Sequence, residues 1–293
     1  MRLRRGWILA AALTGAAAGA AAAEPAGCAD LADRLETLTG YRIAAPVAGS
    51  QGGWCVFDRA VLTARGAPEI AAERLRLRGA VATDVIDLAL EAGGVRLAPG
   101  LGQRDLDPIL RETLRLQVAD LAFMATAGPE GLAVRGGRLR LSGGTVVEVE
   151  ADVAGAGLSA GSLLPGRLTW ARLDWRNDGR LFRPVMESWG ESLVDGADGG
   201  AAVDAARLAL RQIARNLPGS LFQGEGQDRL EDALAALPQG RGRLALEFRS
   251  TRGIGAAQVA MAALSGDPLG PEALARLFAG AEMTVDWQPG LAP

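Results

Sequence analysis

Apolar and polar side chains alternate with a period of two over long stretches of this chain, and this pattern constrains its fold more than any other feature. Between positions 73 and 79, Leu75 and Leu77 alternate with Arg74, Arg76 and Arg78. Successive side chains of a β-strand point to opposite faces, so the pattern indicates strands with one buried and one solvated face. The same alternation recurs in 86–91, 138–152 and 243–249. The sequence therefore predicts a large antiparallel sheet.

One turn of this sheet also predicts its register. Ser142-Gly143-Gly144 separates two alternating segments. A two-residue Gly-Gly loop would place Leu139 opposite Glu148, although directly opposed residues must share a face of the sheet. A three-residue loop instead places Leu139 opposite a valine and an arginine opposite a glutamate. We therefore expect a three-residue hairpin loop that contains glycine.

The order of the predicted elements is typical of an α+β fold. Strands dominate 41–176, helices dominate 181–237, and a strand-helix-strand arrangement follows over 240–289. We expect a single α+β domain over 24–293, in which the helical segment packs on one face or end of a large curved antiparallel sheet. An apolar stripe at helical spacing marks the longest predicted helix: Val203, Ala206, Leu210, Ile213 and Leu217.

The first 23 residues have the three parts of a secretory signal peptide. Arg2, Arg4 and Arg5 form a basic start, an apolar stretch follows, and Ala21-Ala22-Ala23 supplies small residues before the cleavage point. We expect export to the periplasm with cleavage near Ala23. The alternative is a retained membrane anchor, but the apolar stretch is shorter than the about 20 strongly apolar residues of a typical span.

The chain has only two cysteines, Cys28 and Cys55. An even number of cysteines in an exported protein indicates a disulfide, and we expect these two to be bonded. A rival interpretation is lipidation of Cys28, because Ala26-Gly27-Cys28 resembles the end of a lipobox. Pro25 stands where that motif requires a leucine-like residue, which weakens the rival.

The chain contains no histidine and no lysine, so all 31 basic residues are arginines. A Ser-His-Asp triad, a histidine-ligated metal site, a Schiff-base lysine and a Walker A motif are therefore excluded. Gly157-Leu158-Ser159-Ala160-Gly161 matches a nucleophile elbow, but its serine lacks the histidine base, and we interpret it as a loop. We expect no cofactor and no metal.

The net charge argues against a nucleic-acid partner. Removal of 1–23 takes away three arginines and no acid, which leaves 28 arginines against 34 acids and a net charge of 28 − 34 = −6. Nucleic-acid-binding domains carry a basic surface. A lipid or an envelope protein is the expected partner, and neither nucleic acid nor nucleotide is.

Arg207, Arg211 and Arg215 form a row along one predicted helix. Arginine binds phosphate with two parallel hydrogen bonds, so the row is a candidate contact for an anionic headgroup or an acidic partner. The alternative is a solvated helix edge paired with acids elsewhere in the chain.

Three tryptophans fall in predicted strands: Trp170, Trp175 and Trp287. They are candidates for lining an apolar groove, and the alternative is ordinary packing in the core or at its rim.

Paired carboxylates are the one common acid–base device that needs neither histidine nor lysine. No Asp-Thr-Gly or Asp-Ser-Gly signature is present, so a carboxylate-based hydrolase is a minor alternative. The local clusters are Asp105/Asp107, Glu148/Glu150/Asp152 and Asp195/Asp198.

The signal peptide, the alternating segment Glu73–Gly79 and the closing Val285-Asp286-Trp287-Gln288-Pro289-Gly290 resemble AsmA-like and related β-rich periplasmic proteins of Gram-negative bacteria. The resemblance implies a large curved sheet and a role in envelope lipid transport or outer-membrane homeostasis. The chain departs from that group in being short and in lacking a clear anchor, which argues against a spanning lipid bridge. The function expected is a non-enzymatic periplasmic binding or envelope-maintenance protein that contacts lipid through an apolar sheet face. The alternative is an assembly partner of another envelope protein, bound through the helical segment.

Overall fold

The computed structural model describes most of the chain between Gly27 and Gly290. The described residues are 27–45, 47–64, 69–82, 85–98, 112, 115–156, 165–177, 182–238, 241–263, 267 and 269–290. The proposed signal peptide, Asp105, Asp107 and the Gly157–Gly161 motif lie outside them. No helix in the described ranges is both long and apolar enough to cross a bilayer.

Eleven antiparallel strands of the described chain form one open, curved sheet, which confirms the predicted sheet and the α+β fold. From the third strand onward each strand pairs with the next one in sequence, and the first two both pair with the third at one edge. The strands are β1 (Arg42–Ala44), β2 (Val47–Gln51), β3 (Trp54–Thr63), β4 (Glu69–Val81), β5 (Ile86–Ala98), β6 (Ala119–Gly128), β7 (Gly131–Leu141), β8 (Val146–Ala154), β9 (Arg167–Asn177), β10 (Gly242–Gly255) and β11 (Ala281–Pro289).

Six longer helices accompany the sheet in the part of the chain that the structure describes. The first ends at Gly40, whose φ of 74° is left-handed and whose amide donates a hydrogen bond to the Glu36 carbonyl. Glycine adopts this conformation without steric cost, which explains the helix end. The helices are α1 (Cys28–Thr39), α2 (Phe182–Leu193), α3 (Gly199–Asn216), α4 (Gly226–Ala235), α5 (Ala256–Ala263) and α6 (Pro271–Leu277).

The strand register builds one apolar face that runs across the sheet. Directly opposed residues lie on the same face, and one row of such residues crosses nine strands from β3 to β11 without a charged side chain. The row consists of Phe57, Leu75, Ala92, Leu121, Leu139, Val147, Trp175, Leu244 and Trp287.

Helices bury this apolar face at its two ends. Near the first strands, Leu31 and Leu35 of α1 pack in one core with Leu77 and its neighbours on β3 to β7. Near the last strands, Met186 of α2 and Val203 of α3 form a second core that Trp175 packs against. The helical segment therefore packs on the apolar face at the end formed by β9 to β11, as predicted.

The hairpin between β7 and β8 has the predicted register. Leu139 opposes Val147, and Arg138 opposes Glu148. The Leu141 amide donates to the Thr145 carbonyl across 2.8 Å, so three residues, 142–144, form the loop. Gly144 has a φ of 95°, which explains why the loop needs glycine. The three-residue loop is therefore confirmed.

The opposite face of the sheet carries the charged residues. Arginines and acids meet across neighbouring strands on this face, with most of these side chains about half exposed. Exposed pairs of this kind each contribute about 0–1 kcal/mol to stability, so the face is held mainly by the strands beneath it. The cross-strand pairs include Arg74–Asp58, Arg76–Glu91, Arg138–Glu148 and Arg135–Asp152.

Helices α2 and α3 approach each other closely at Gly190. A Cβ atom added there would lie 1.8 Å from the carbonyl oxygen of Ala202, which is itself fully buried. Replacing glycine by alanine inside a helix ordinarily stabilises by about 1 kcal/mol. Here we expect the opposite sign: Gly190→Ala should destabilise by about 1–3 kcal/mol because the helices must move apart.

Urea unfolding followed by circular dichroism measures this effect. Gly200→Ala in α3 is the matched control, because no atom lies within 4 Å of a Cβ built there. The control should be neutral or slightly stabilising. Equal effects of the two substitutions would contradict the close approach of α2 and α3.

Candidate binding surfaces on the two faces of the sheet

A strip of aliphatic side chains in the middle of the apolar face belongs to neither core of the described chain. We call this set the central strip: Leu139 on β7, Val147 and Val149 on β8, and Leu173 on β9. The register places Leu139 against Val147 and Val149 against Leu173. All four side chains keep contact with solvent, and Val149 is 37% exposed. The apolar face is thus less well covered here than at its ends.

A bulge of β7 lies beside the central strip. Gly137 directly opposes Val149, so β7 contributes no side chain at this position. A Cβ at Gly137 would lie 2.6 Å from the Val149 carbonyl oxygen, which explains why glycine is required. The register shifts of β7 against both neighbours place Phe123 of β6 across the bulge that contains Gly136 and Gly137. Phe123 therefore lies across β7 from Val149 with no β7 side chain between them.

The structure separates the three candidate tryptophans. Trp175 and Trp287 lie on the apolar face, where both flank Leu244 in the same row. Trp175 also contacts the ring of Phe182 at the start of α2, with 4.6 Å between ring centroids. Trp170 opposes Asp152 and Arg249 and so lies on the charged face.

The three tryptophans therefore do not line a single groove in this structure. Trp175 and Trp287 pack beside the helical segment as part of the core and its rim. The separation was readable from the sequence, because Trp170 and Trp175 are an odd number of residues apart in one strand.

The three candidate arginines of α3 contact groups within the helical segment. Arg207 donates to the Leu237 carbonyl across 2.8 Å and to Asp204 across 2.7 Å. Arg215 pairs with Glu231 of α4 at 3.1 Å, and Arg211 approaches the same carboxylate at 3.9 Å. These contacts place the row at the seam between α3 and α4, where the acids also offset the repulsion between the arginines.

A buried ion pair lies in the charged face at β9 and β10. Asp174 is 7% exposed and accepts two hydrogen bonds from Arg243, one of them 2.7 Å long from Nε. These hydrogen bonds, together with the charges of Arg243, Arg176 and Arg172, hold the pKa of Asp174 below that of an ordinary aspartate, although burial opposes the shift. The same contact raises the pKa of Arg243. Both groups are therefore charged at neutral pH.

The carboxylate cluster of β8 is paired with arginines. Glu148 meets Arg138 at 3.4 Å, Asp152 meets Arg135 at 2.5 Å, and Glu150 directly opposes Arg172. Among the described residues no group of three or more acids and cysteines is placed to hold a metal ion.

A cleft of about 970 Å³ opens on the charged face, where β8 to β11 end. Its lining includes Asp152, Trp170, Arg249 and Glu282, together with Arg135. Sequence reasoning singled out Trp170 and Asp152 separately but did not bring them together. Asp152 opposes Trp170 through the pairing of β8 with β9. Arg249 joins them through the pairing of β9 with β10, which are separated in sequence by the whole helical segment.

No protein family, curated protein or solved structure in the comparisons matches this chain. The resemblance to AsmA-like proteins thus rests on the quoted residues alone. The function has to be inferred from the geometry of the two faces of the sheet.

Proposed function

We propose that the protein is a non-enzymatic binding protein of the cell envelope that holds an acyl chain of a lipid along the central strip. The observation that supports this is the partly exposed strip itself, which lies between two helix-covered cores on an otherwise continuous apolar face. Binding an acyl chain there would remove the remaining apolar surface from water, and burial of each CH₂ group is worth about 0.8 kcal/mol.

The size of the strip favours an acyl chain over a protein partner. Neighbouring strands are about 4.8 Å apart, so the strip from β7 to β9 is about 10 Å wide. A stable protein interface buries about 800 Å² on each partner, which four aliphatic side chains do not supply. A single extended acyl chain fits a narrow apolar strip.

The sequence supports the non-enzymatic, exported part of the proposal. The full chain has no histidine and no lysine, and the β8 carboxylates each face an arginine. Cys28 and Cys55 form a disulfide, with 5.3 Å between their Cα atoms, and disulfides persist in oxidising compartments such as the periplasm. An exported protein would meet membrane lipids in that compartment.

The direct test is binding of a fluorescent fatty acid to the delipidated protein, together with native mass spectrometry of protein purified from a bacterial periplasm. Val149→Asp should weaken fatty-acid binding about tenfold or more, because it places a charge on the strip. Val185→Asp on α2 is the matched control, since Val185 has the same exposure of 37% but lies outside the strip. Equal affinities of the two variants, or no bound fatty acid in the unmodified protein, would refute the proposal.

A second candidate function is docking of another envelope protein on the helical segment. The observation that favours it is a set of exposed apolar residues at the end of α2 and on α3: Leu193 at 45%, Val194 at 49% and Leu208 at 67% exposure. Chemical crosslinking in cells should then capture one partner reproducibly, and Leu208→Asp should abolish the crosslink while leaving fatty-acid binding unchanged.

A further inference from the structure

The cleft on the charged face lies beside an irregularity of β10. Trp170 opposes Arg249, and two residues earlier in β9 Leu168 opposes Ile254, which is five residues later in β10. Strand β10 thus has 5 − 2 = 3 extra residues here. Gly253 has a φ of 69° in this bulge, a conformation that glycine adopts freely. Bulges of this kind bend a strand and re-aim its side chains, and they are common beside functional sites.

Four side chains line up across the floor of this cleft. Asp152 opposes Trp170, Trp170 opposes Arg249, and Arg249 opposes Glu282. Directly opposed residues have Cβ atoms about 5 Å apart. The row therefore places a carboxylate, an indole, a guanidinium and a second carboxylate side by side, close enough for one ligand to contact all of them. The hydroxyl groups of Ser220 and Thr251, among others, complete the wall.

The indole of Trp170 is fixed in place. The guanidinium of Arg135 lies over its ring, 5.3 Å from the ring centroid, and Arg135 is in turn held by Asp152. The Trp170 Nε1 donates to Glu247 across 3.4 Å, and Glu247 also accepts hydrogen bonds from Arg249. A ring oriented from two sides presents a pre-organised platform.

The charges of the cleft point to a neutral ligand. Two arginines, Arg135 and Arg249, face two carboxylates, Asp152 and Glu282, so the lining has no net charge. An anion would meet the two carboxylates, and a cation would meet the two guanidinium groups. A ligand with both donors and acceptors on its rim can satisfy both kinds of side chain, since guanidinium only donates and ionised carboxylate only accepts.

We propose that this cleft binds a saccharide, with one sugar ring stacked on Trp170 and its hydroxyl groups hydrogen-bonded to Arg249, Asp152 and Glu282. A pyranose ring has C–H groups on its faces and hydroxyl groups on its rim. The face of an indole ring has a partial negative potential that attracts polarised C–H groups. The hydroxyl groups on the rim of the sugar would then reach the charged side chains beside Trp170. The cleft volume of about 970 Å³ is within the usual range of about 300–1,000 Å³ for small-ligand sites. The site lies on the face opposite the central strip and is independent of lipid binding there.

Isothermal titration calorimetry with soluble neutral oligosaccharides, namely cellotetraose, maltotetraose and chitotetraose, tests the proposal. We expect at least one of them to bind at millimolar concentration or below. Trp170→Leu should weaken that binding about tenfold or more, the scale of losing one aromatic stacking contact. Arg249→Gln changes an exposed residue and leaves the Trp170 ring in place, and it should weaken oligosaccharide binding severalfold.

Trp54→Leu is the matched control. Trp54 lies on the same face at the far end of the sheet, with Arg76 and Arg78 stacked on it at 4.5 and 4.7 Å, but outside the cleft. It should bind saccharide as the unmodified protein does. Val149→Asp should also bind saccharide normally, which separates failure of this proposal from failure of lipid binding at the strip.

A second experiment distinguishes a free glycan from a glycolipid headgroup as the ligand. It measures binding to phosphatidylcholine vesicles that contain or lack a glucosyl diacylglycerol. Binding of free oligosaccharide assigns the cleft to a glycan, and Trp170-dependent binding to the glycolipid vesicles alone assigns it to a lipid headgroup. The proposal is overturned if neither the oligosaccharides nor the glycolipid vesicles bind, or if Trp170→Leu leaves the binding unchanged.

Discussion

Asp174→Ala should lower the free energy of unfolding by about 2 kcal/mol, because it removes a buried carboxylate that accepts two charge-assisted hydrogen bonds from Arg243. Arg243 would lose both of its hydrogen bonds to Asp174. Arg176, whose Nε lies 3.5 Å from the same carboxylate, and Arg172 would also lose the negative charge that they face. Urea unfolding at pH 7 measures the loss.

The control for burial is Asp58→Ala. Asp58 pairs with Arg74 at 3.0 Å on the same face, but the two side chains are 50% and 65% exposed. Exposed pairs contribute about 0–1 kcal/mol, so this variant should remain close to the unmodified protein. Equal losses in the two variants would contradict the role of burial.

The double variant Asp174→Leu with Arg243→Met tests whether the ion pair itself contributes to the free energy of unfolding, or whether the loss in Asp174→Ala arises because Arg243 remains without its partner. Replacing both partners of a buried pair by apolar residues of similar volume is often close to neutral. The double variant should therefore be more stable than Asp174→Ala. If it is less stable, the pair itself contributes strongly to the fold.

The pH dependence of the Asp174 effect has a definite sign. The pKa of Asp174 in the folded protein is lowered, first by the hydrogen bonds from Arg243. The ionised group therefore stabilises the fold at pH values above its unfolded pKa of about 3.9, and this stabilisation is lost as pH falls through the lower folded pKa. The gap in stability between the unmodified protein and Asp174→Ala should be constant near neutral pH and should shrink below about pH 4.

The sheet and one of its registers were predictable because they depend on local features of the sequence. Alternation of Leu and Arg in β4 marks the two faces within a few residues. The hairpin register follows from a short loop and from the signs of the charges at Arg138 and Glu148. In both cases the residues that decide the structure are close together in the chain.

The candidate surfaces depend on features that alternation does not reveal. One of these features is the bulge of β7 at Gly136 and Gly137, and another is the run of extra residues in β10 after Arg249, beside which the cleft lies. The burial of Asp174 requires β9 to pair with β10 across the helical segment. Such long-range pairing and bulge placement are decided by packing of the whole sheet, so single residues such as Trp170 could be named from sequence while the sites could not.

Replacing both cysteines by serine should lower the free energy of unfolding by about 3–4 kcal/mol, the entropy that a disulfide removes from an unfolded loop of this size. Cys28 and Cys55 are 27 positions apart. The bond joins the first turn of α1 to β3, beside the core that contains Leu31 and Leu35. For a chain of this length the loss corresponds to a fall of roughly 10 °C in the melting temperature.

The unmodified protein in excess reductant provides the control for this variant, because it loses the same bond without a change of sequence. The two samples should melt within a few degrees of each other, and both should retain the far-ultraviolet circular dichroism of the sheet below the transition. A thiol-specific label should react with the unmodified protein only after reduction. Labelling before reduction, or a melting temperature that reductant does not change, would show that α1 is held to β3 by packing alone. The exposure of Leu31 and Leu35, at 1% and 7%, would then be maintained entirely by the hydrophobic contacts of the first core.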